Sequence, residues 1–490
     1  MNKISNHHTF SSSWTYEPAP ESADHIKIKP RYELFINGSF VKPVEGSYFD
    51  SVNPANGQKL SEVAQATAQD VDLAVQAAKE AFPTWSGLSG KERGKYIFRL
   101  ARLIQERARE FAVIESLDGG KPIRESRDID IPLAANHFFY YAGWADKLAY
   151  AFPNRKVAPL GVTGQIIPWN FPLLMAAWKL APALATGNTV VLKPAETTPL
   201  TALKLAELIR DCGIPKGVVN NNTGDGETGS KLVEHPQVDK IAFTGSTRVG
   251  KYIQKAIAGT PKKLTLELGG KGANIIFEDA AIDQAVEGIV NAIFFNQGHV
   301  CCAGSRLFLQ ESIAELVIDK LKNRMQSLMV GDPLDKNTDI GAINSEKQLN
   351  TIQSYIEIGK KEGGTIYQPK CDLPKTGNWC PPTLFLNVSQ SHRIVQEEIF
   401  GPVLAIQTFR TIDEVVEKAN NTPYGLSAGV WTQNGSKIFH LTQQLKAGVI
   451  WANTYNKFDP TSPFGGYKES GYGREGGLQG LKPYVKFDEL

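Results

Sequence analysis

The sequence predicts an α/β protein built on two parallel sheets, each covered by helices. From Gly161 onward, short apolar runs of β type alternate with helical periods, and a second alternation runs from Asn274 to Asn453. Between them lies the stretch 260–272, whose Gly269-Gly270 pair suits a crossing from one sheet to the other, with a cleft beside it. Such alternation implies helices on both faces of a parallel sheet, and ligands then bind beyond the carboxyl ends of the strands.

In chain order, residues 1–30 are rich in Ser, Asn and Pro and lack a basic start followed by an apolar stretch, so they read as a frayed tail rather than a signal peptide. Residues 33–41 form a hairpin around Asn37-Gly38, and amphipathic helices follow over 68–81 and 91–117. Strands 162–167, 188–192, 217–219 and 240–243 then alternate with helices 173–186, 199–211, 228–234 and 247–258. The second alternation comprises strand 274–277, helix 282–295, strand 306–309, helix 312–328, strand 403–409, helix 412–420 and strands 427–431 and 448–453. The terminal Asp488-Glu489-Leu490 resembles a retention signal, but without a signal for import it reads as the end of a strand.

Composition narrows the function classes. The 490 residues, 42% of them hydrophobic, can form about two or three folded units. With 53 Lys and Arg against 51 Asp and Glu, there is no field to draw nucleic acid or an anionic membrane. The most apolar stretch, 173–184, is shorter than the roughly 18–20 residues a membrane helix needs and contains Lys179 and Pro182. Five cysteines exclude a disulfide scaffold, and their odd number points to a reducing, cytoplasmic setting with at least one free thiol.

Five segments carry chemistry. Cys301 and Cys302 lie in a loop after a helix and before a strand, where one thiol can face a cleft; a thiol attacks only as thiolate and so needs a lowered pKa, and a buried structural Cys is the plainer alternative. Adjacent cysteines cannot point the same way, which makes a metal site poor. Glu267 ends an apolar strand that would raise its pKa toward that of a general base, unless it pairs with Lys263 or Lys271. Asn170, between Pro168 and Pro172, offers a rigid amide donor for an oxyanion, or a helix cap, or both. Lys193 and Glu196 leave a parallel strand at its ligand-binding edge, where a carboxylate can accept ribose hydroxyls and repel a 2′-phosphate; a surface ion pair is the alternative. Phe243-Thr244-Gly245-Ser246 aims a helix N-terminus at an anion, but Tyr252 stands where a nucleotide triphosphatase loop needs Ser or Thr.

Taken in order, Pro168-Trp169-Asn170-Phe171-Pro172, Lys193-Pro194-Ala195-Glu196, Phe243-Thr244-Gly245-Ser246, Glu267-Leu268-Gly269-Gly270-Lys271, Gly298-x-x-Cys301, Glu398-Ile399-Phe400-Gly401-Pro402 and Pro463-Phe464-Gly465-Gly466-Tyr467-Lys468 resemble the aldehyde dehydrogenase superfamily of hydrolytic type, from about Glu33 to the end. The resemblance implies two Rossmann-like domains, one for the cofactor (31–128 and 155–267) and one catalytic (268–460), with a small β element for oligomerisation (129–154 and 478–490). It implies NAD-dependent oxidation of a small-molecule aldehyde to a carboxylic acid through a thiohemiacetal and a thioester.

Matched residue by residue, the resemblance makes Cys301 the nucleophile, three residues after Gly298, with Cys302 a bystander. Glu267 becomes the general base, Asn170 with the Cys301 backbone N–H the oxyanion hole, and Lys179 a support for the water network. Lys193 and Glu196 would hold the adenosine ribose, Ser246 the pyrophosphate, and Glu398 and Phe400 the nicotinamide riboside; Ile166, Trp169, Gly226, Gly245, Gly250 and Leu268 complete the site. NAD is favoured over NADP, and no metal is implied. Phe171, Met175, Trp178, His299, Val300, Tyr455 and Phe464 would line a substrate pocket for aliphatic or aromatic aldehydes, with betaine aldehyde open through cation–π contact.

Two features depart from the family pattern. His299 stands where Gln or Glu is usual, and the segment between Trp144 and Gly161 is shorter than the hairpin family tetramers use. A homodimer is therefore expected before a tetramer, with the strand near 484–487 adding to the partner's sheet. Phosphorylating or CoA-acylating relatives tend to lack the carboxylate at Glu267, and a catalytically silent protein would not need thiol, base and amide donor together.

Overall fold

Asn37 and Gly38 both take left-handed backbone (φ 50° and 76°), which closes the hairpin of Leu34–Ile36 and Ser39–Val41. The structure, a computed structural model, describes residues 17–487. The first sheet is centred on five parallel strands: Val162–Ile166, Thr189–Lys193, Val219–Asn221, Lys240–Thr244 and Lys263–Glu267. The first of these lies in the middle; the chain builds to one side of it with the next two, then returns to build the other side with the last two. The carboxyl ends of Val162–Ile166 and Lys240–Thr244 therefore flank a topological switch point, where a crevice opens.

Both faces of these strands are covered, so every residue of Val162–Ile166, Thr189–Lys193 and Lys240–Thr244 is buried. Helix Pro172–Ala185 is buried along its whole length, as an apolar face all round requires, between Ile131–Trp144 and the sheet. Asp225 and Ser246 each cap the helix that follows, accepting backbone N–H groups that would otherwise lack partners.

The second sheet runs Thr383–Leu386, Val403–Phe409, Arg306–Gln310, Ala273–Ile276, Ser427–Trp431 and Val449–Ala452, all parallel. Neither sheet is purely parallel. Gly471–Tyr472 and the Leu34–Val41 hairpin add antiparallel edges to the first, and Thr365–Tyr367 adds one to the second.

Several expectations need correction. The helix expected over 91–117 is two, Gly90–Glu106 and Ala108–Gly119, broken at Arg107 where the backbone leaves the helical region (φ −105°, ψ 20°). The crossing narrows to 268–272, because Lys263–Glu267 belongs to the first sheet. The expected tail is not frayed over its described part: Glu21 is buried, its backbone N–H donates to Leu334 O at 2.7 Å, and its carboxylate accepts from Arg109 Nε at 2.6 Å. The small β element pairs Val485–Phe487 with Val157–Pro159, while 129–154 is largely helical. Asp488-Glu489-Leu490 lies outside the described residues. Among the described residues no helix is long and apolar enough to cross a membrane.

Candidate active site

The carboxyl edge of the first sheet and the amino edge of the second enclose a cavity of about 350 Å³. Register puts Glu267 beside Thr244 at the first edge, with Phe243, Ile166 and Lys193 side by side one residue earlier. The second edge presents the loops that precede Arg306–Gln310 and Val403–Phe409, with Cys301 on one and Glu398 and Phe400 on the other.

The thiol loop turns sharply. Asn296, Gln297 and Gly298 are all left-handed (φ 48°, 53° and 73°), and a Cβ on Gly298 would sit 2.2 Å from Gly401 O. A Cβ on Gly270 would likewise sit 2.3 Å from the Cys301 carbonyl oxygen, so the crossing backbone packs directly on the peptide that bears the thiol. Both cysteines line the cavity, but Cys301 is half-buried whereas Cys302 is buried, its Sγ 3.7 Å from Asn456 Oδ1 and its carbonyl accepting from Ser427 Oγ and Tyr455 OH, each at 2.9 Å. The hydrogen bond with the Cys302 thiol, followed by burial, pushes the Cys301 pKa well up. That is opposite to the lowered value the sequence reading requires of a resting nucleophile.

Glu267 ends its strand 3% exposed, and neither carboxylate oxygen has a hydrogen-bond partner. Its pKa is raised well above the carboxylate range by burial and then by Glu475, with Lys179 opposing. The pairing with Lys263 or Lys271 is not formed. Gly465 passes so near that a Cβ there would lie 2.7 Å from Glu267 Oε1.

Lys179 is fully buried; its Nζ donates to Thr244 Oγ1 at 2.7 Å and to the Glu475 carboxylate. Lys179 stands behind the cavity, but Thr244 and Glu475 line it. Removing one member of a buried pair leaves the other uncompensated. Lys179→Met is expected to cost about 3–5 kcal/mol of stability, measured by urea unfolding; a change under about 1 kcal/mol would contradict the pairing.

Asn170 lines the cavity, and its Nδ2 donates to His299 O at 2.8 Å. The capping alternative fails: Phe171 holds the cap position of Pro172–Ala185, with no side-chain cap bond.

The geometry suits a dinucleotide. Gly245 and Ser246 lead from the switch point into helix Thr247–Ala256, and both line the cavity with Trp169, Leu268, Glu398 and Phe400. Gly250 is required for close approach: a Cβ there would lie 2.6 Å from the Leu268 side chain. Glu398 Oε1 accepts from the Gly270 N–H at 2.9 Å, and burial pushes its pKa up to about 7. Phe400 is left-handed (φ 57°), its ring 5.3 Å from that of Trp169. Ile166, Lys193, Glu196, Gly226 and Gly250 lie outside the cavity walls. Lys193 is buried, with its Nζ 3.5 Å from the half-exposed Glu196 carboxylate, so the ion pair exists; burial lowers the Lys193 pKa.

Of the expected substrate-pocket residues, Phe171, Met175, Trp178, Val300 and Phe464 line the cavity. His299 and Tyr455 do not. The left-handed turn directs the His299 ring behind the wall, 4.7 Å from Trp169 and 5.9 Å from Phe400, where burial pushes its pKa down to about 3 and holds it neutral. Tyr455 is 1% exposed, committed to Cys302 O. Sequence reasoning missed Glu475, Phe295 and Phe458 in the walls; Gly473-Arg474-Glu475 carries no motif that would single out Glu475.

The chain is similar to aldehyde dehydrogenases along most of its length. The aldehyde dehydrogenase family profile matches residues 40–489. The Bacillus subtilis protein DhaS is 48% identical over 467 residues, covering 93% of this chain and 94% of its own. Human mitochondrial aldehyde dehydrogenase is 45% identical over 482 residues, 96% of this chain and 93% of its own. The NAD+ complex of a Bacillus cereus aldehyde dehydrogenase superposes with a TM-score of 0.91 at 43% identity, covering 94% of this chain and 98% of that one.

Proposed function

The chain belongs to the aldehyde dehydrogenase family, and from that premise we propose that it oxidises an aliphatic or aromatic aldehyde to its carboxylic acid with NAD, through a thioester on Cys301. The observation that carries this reading is one cavity, at the switch point of the first sheet, walled by a half-buried thiol and an unpartnered buried carboxylate. The Cys301 sulfur, as thiolate, adds to the aldehyde carbon, and the alkoxide oxygen is met by the Asn170 amide and the Cys301 backbone N–H. The Gly245–Ser246 turn would hold the pyrophosphate of NAD, and Glu398 and Phe400 its nicotinamide riboside; bound there, the oxidised cofactor would supply the acceptor for the hydride that leaves the alkoxide carbon. Glu267 then takes a proton from water, the hydroxide adds to the thioester carbonyl, and the acid departs as the thiol is regenerated.

A relative crystallised with NAD and the carboxylate Glu196 at the strand edge support NAD over NADP. The first sheet is proposed as the cofactor unit, the second as the catalytic unit, and Val485–Phe487 as the edge on which a homodimer forms. NAD with excess aldehyde is expected to give a rapid burst of about one NADH per chain before the steady state. Iodoacetamide should abolish the burst while modifying Cys301. A burst that survives full alkylation of Cys301 would overturn the reading.

A further inference from the structure

The left-handed turn before the thiol is held from a place no motif marks. Glu125, which directly precedes the π-helical turn Ser126–Asp130, is buried, and its Oε2 accepts the backbone N–H of Asn296 at 2.9 Å. Asn296 is left-handed, a conformation a non-glycine residue holds only when its surroundings fix it. Its side-chain amide in turn donates to Asn170 O at 2.9 Å and to His299 O at 3.3 Å. His299 O is also the acceptor for the Asn170 Nδ2 at 2.8 Å. One continuous set of hydrogen bonds therefore links the Glu125 carboxylate to both the backbone and the amide of Asn170, and the same peptide run leads, two residues later, to Cys301. Gln297 fastens the turn from the other side, donating to Gly120 O at 3.3 Å and Ala342 O at 3.0 Å.

We propose that Glu125 is a positioning residue for the acylation step: through Asn296 it sets the distance and angle between the Asn170 amide and the Cys301 sulfur. The inference rests on the proposed thioester chemistry. Glu125 touches neither substrate nor cofactor in that scheme and acts only through Asn296. An acyl-transfer site loses rate steeply when its donor and nucleophile shift by about an ångström, with little effect on ground-state binding. The proposed contacts of the aldehyde with Met175 and Phe464, and of the cofactor with the Gly245 turn, lie outside this network.

The test measures the NADH burst in the parent and three variants of the full chain. Glu125→Gln keeps an oxygen acceptor for the Asn296 N–H and should hold the burst rate within about threefold. Glu125→Ala should slow the burst by about 30-fold or more, with KM for aldehyde and Kd for NAD within about twofold. Asn296→Gly eases the left-handed backbone, so the turn folds, yet removes the amide that reaches Asn170 and His299; it should slow the burst by about tenfold or more. Burst rates within threefold of the parent in both Glu125→Ala and Asn296→Gly would overturn the inference. So would a parallel loss in Glu125→Gln, or losses matched by equal rises in KM and Kd. If Glu125→Ala does not fold, Asn296→Gly and Glu125→Gln decide by themselves. A parent with no burst overturns the thioester reading first, and the inference falls with it.

Discussion

Cys301→Ser is expected to fold and to bind NAD like the parent, yet to lose aldehyde oxidation by about 10³-fold or more, with no burst of NADH. The exchange replaces sulfur by oxygen at a half-buried position, so packing is little changed. What changes is the acidity: a serine hydroxyl is far less acidic than a thiol and stays protonated where a thiol can ionise, so it offers no comparable nucleophile. Cys302→Ala separates the two neighbours. Cys302 is buried and bonded toward Asn456, so its loss should leave turnover within about tenfold of the parent. It also removes the hydrogen bond that contributes most to raising the Cys301 pKa. The sign follows: Cys301 ionises at lower pH in Cys302→Ala, and iodoacetamide inactivation at neutral pH becomes faster. An unchanged alkylation profile, or a Cys302→Ala variant as dead as Cys301→Ser, would contradict the assignment of the two thiols.

The parts of this site that could be read in the sequence are those where chemistry and backbone constraint share a short segment. Asn170 sits between prolines, Glu267 before a glycine pair, and Cys301 after Gly298, whose missing side chain is what lets Gly401 approach. The parallel strands were legible for a related reason: buried on both faces, they run apolar without interruption. Long-range pairings were not. Lys179 meets Glu475 across 296 positions of sequence, and Glu125 meets Asn296 across 171, and neither separation has any local signature. The misplacement of His299 and Tyr455 has the same origin. Their closeness in sequence to the thiol or the cavity was visible, but the direction of each ring depends on the left-handed turn at 296–298 and on the Cys302 carbonyl, which only the packed structure supplies. Strands such as Tyr48–Val52, only one of whose five residues is buried, lack a strong apolar pattern that would mark them.

Glu267→Gln is expected to divide the reaction at the thioester. The first turnover should still release about one NADH per chain, because acylation uses the thiol and the amide donor, while steady-state turnover falls by about 10²- to 10⁴-fold for want of a base. In the parent, the buried carboxyl next to Glu475 keeps its proton well above the usual carboxylate range, so the basic form appears only as pH rises. Deacylation in the parent should therefore speed up with rising pH through that raised pKa, and Glu267→Gln should lack the dependence. The same burial has a price in stability, and linkage fixes its sign. A carboxyl whose folded-state pKa is raised binds more protons folded than unfolded above about pH 4, so stability falls as pH rises until the folded group also ionises. Gln carries no such penalty. Glu267→Gln should thus resist urea better than the parent at pH 8, with the advantage fading as the pH falls below about 4, where Glu267 is protonated in both states. A variant that loses the burst along with the steady state would place Glu267 in acylation instead. One no more stable than the parent at pH 8 would mean that Lys179 neutralises the carboxylate far better than its position behind the cavity allows.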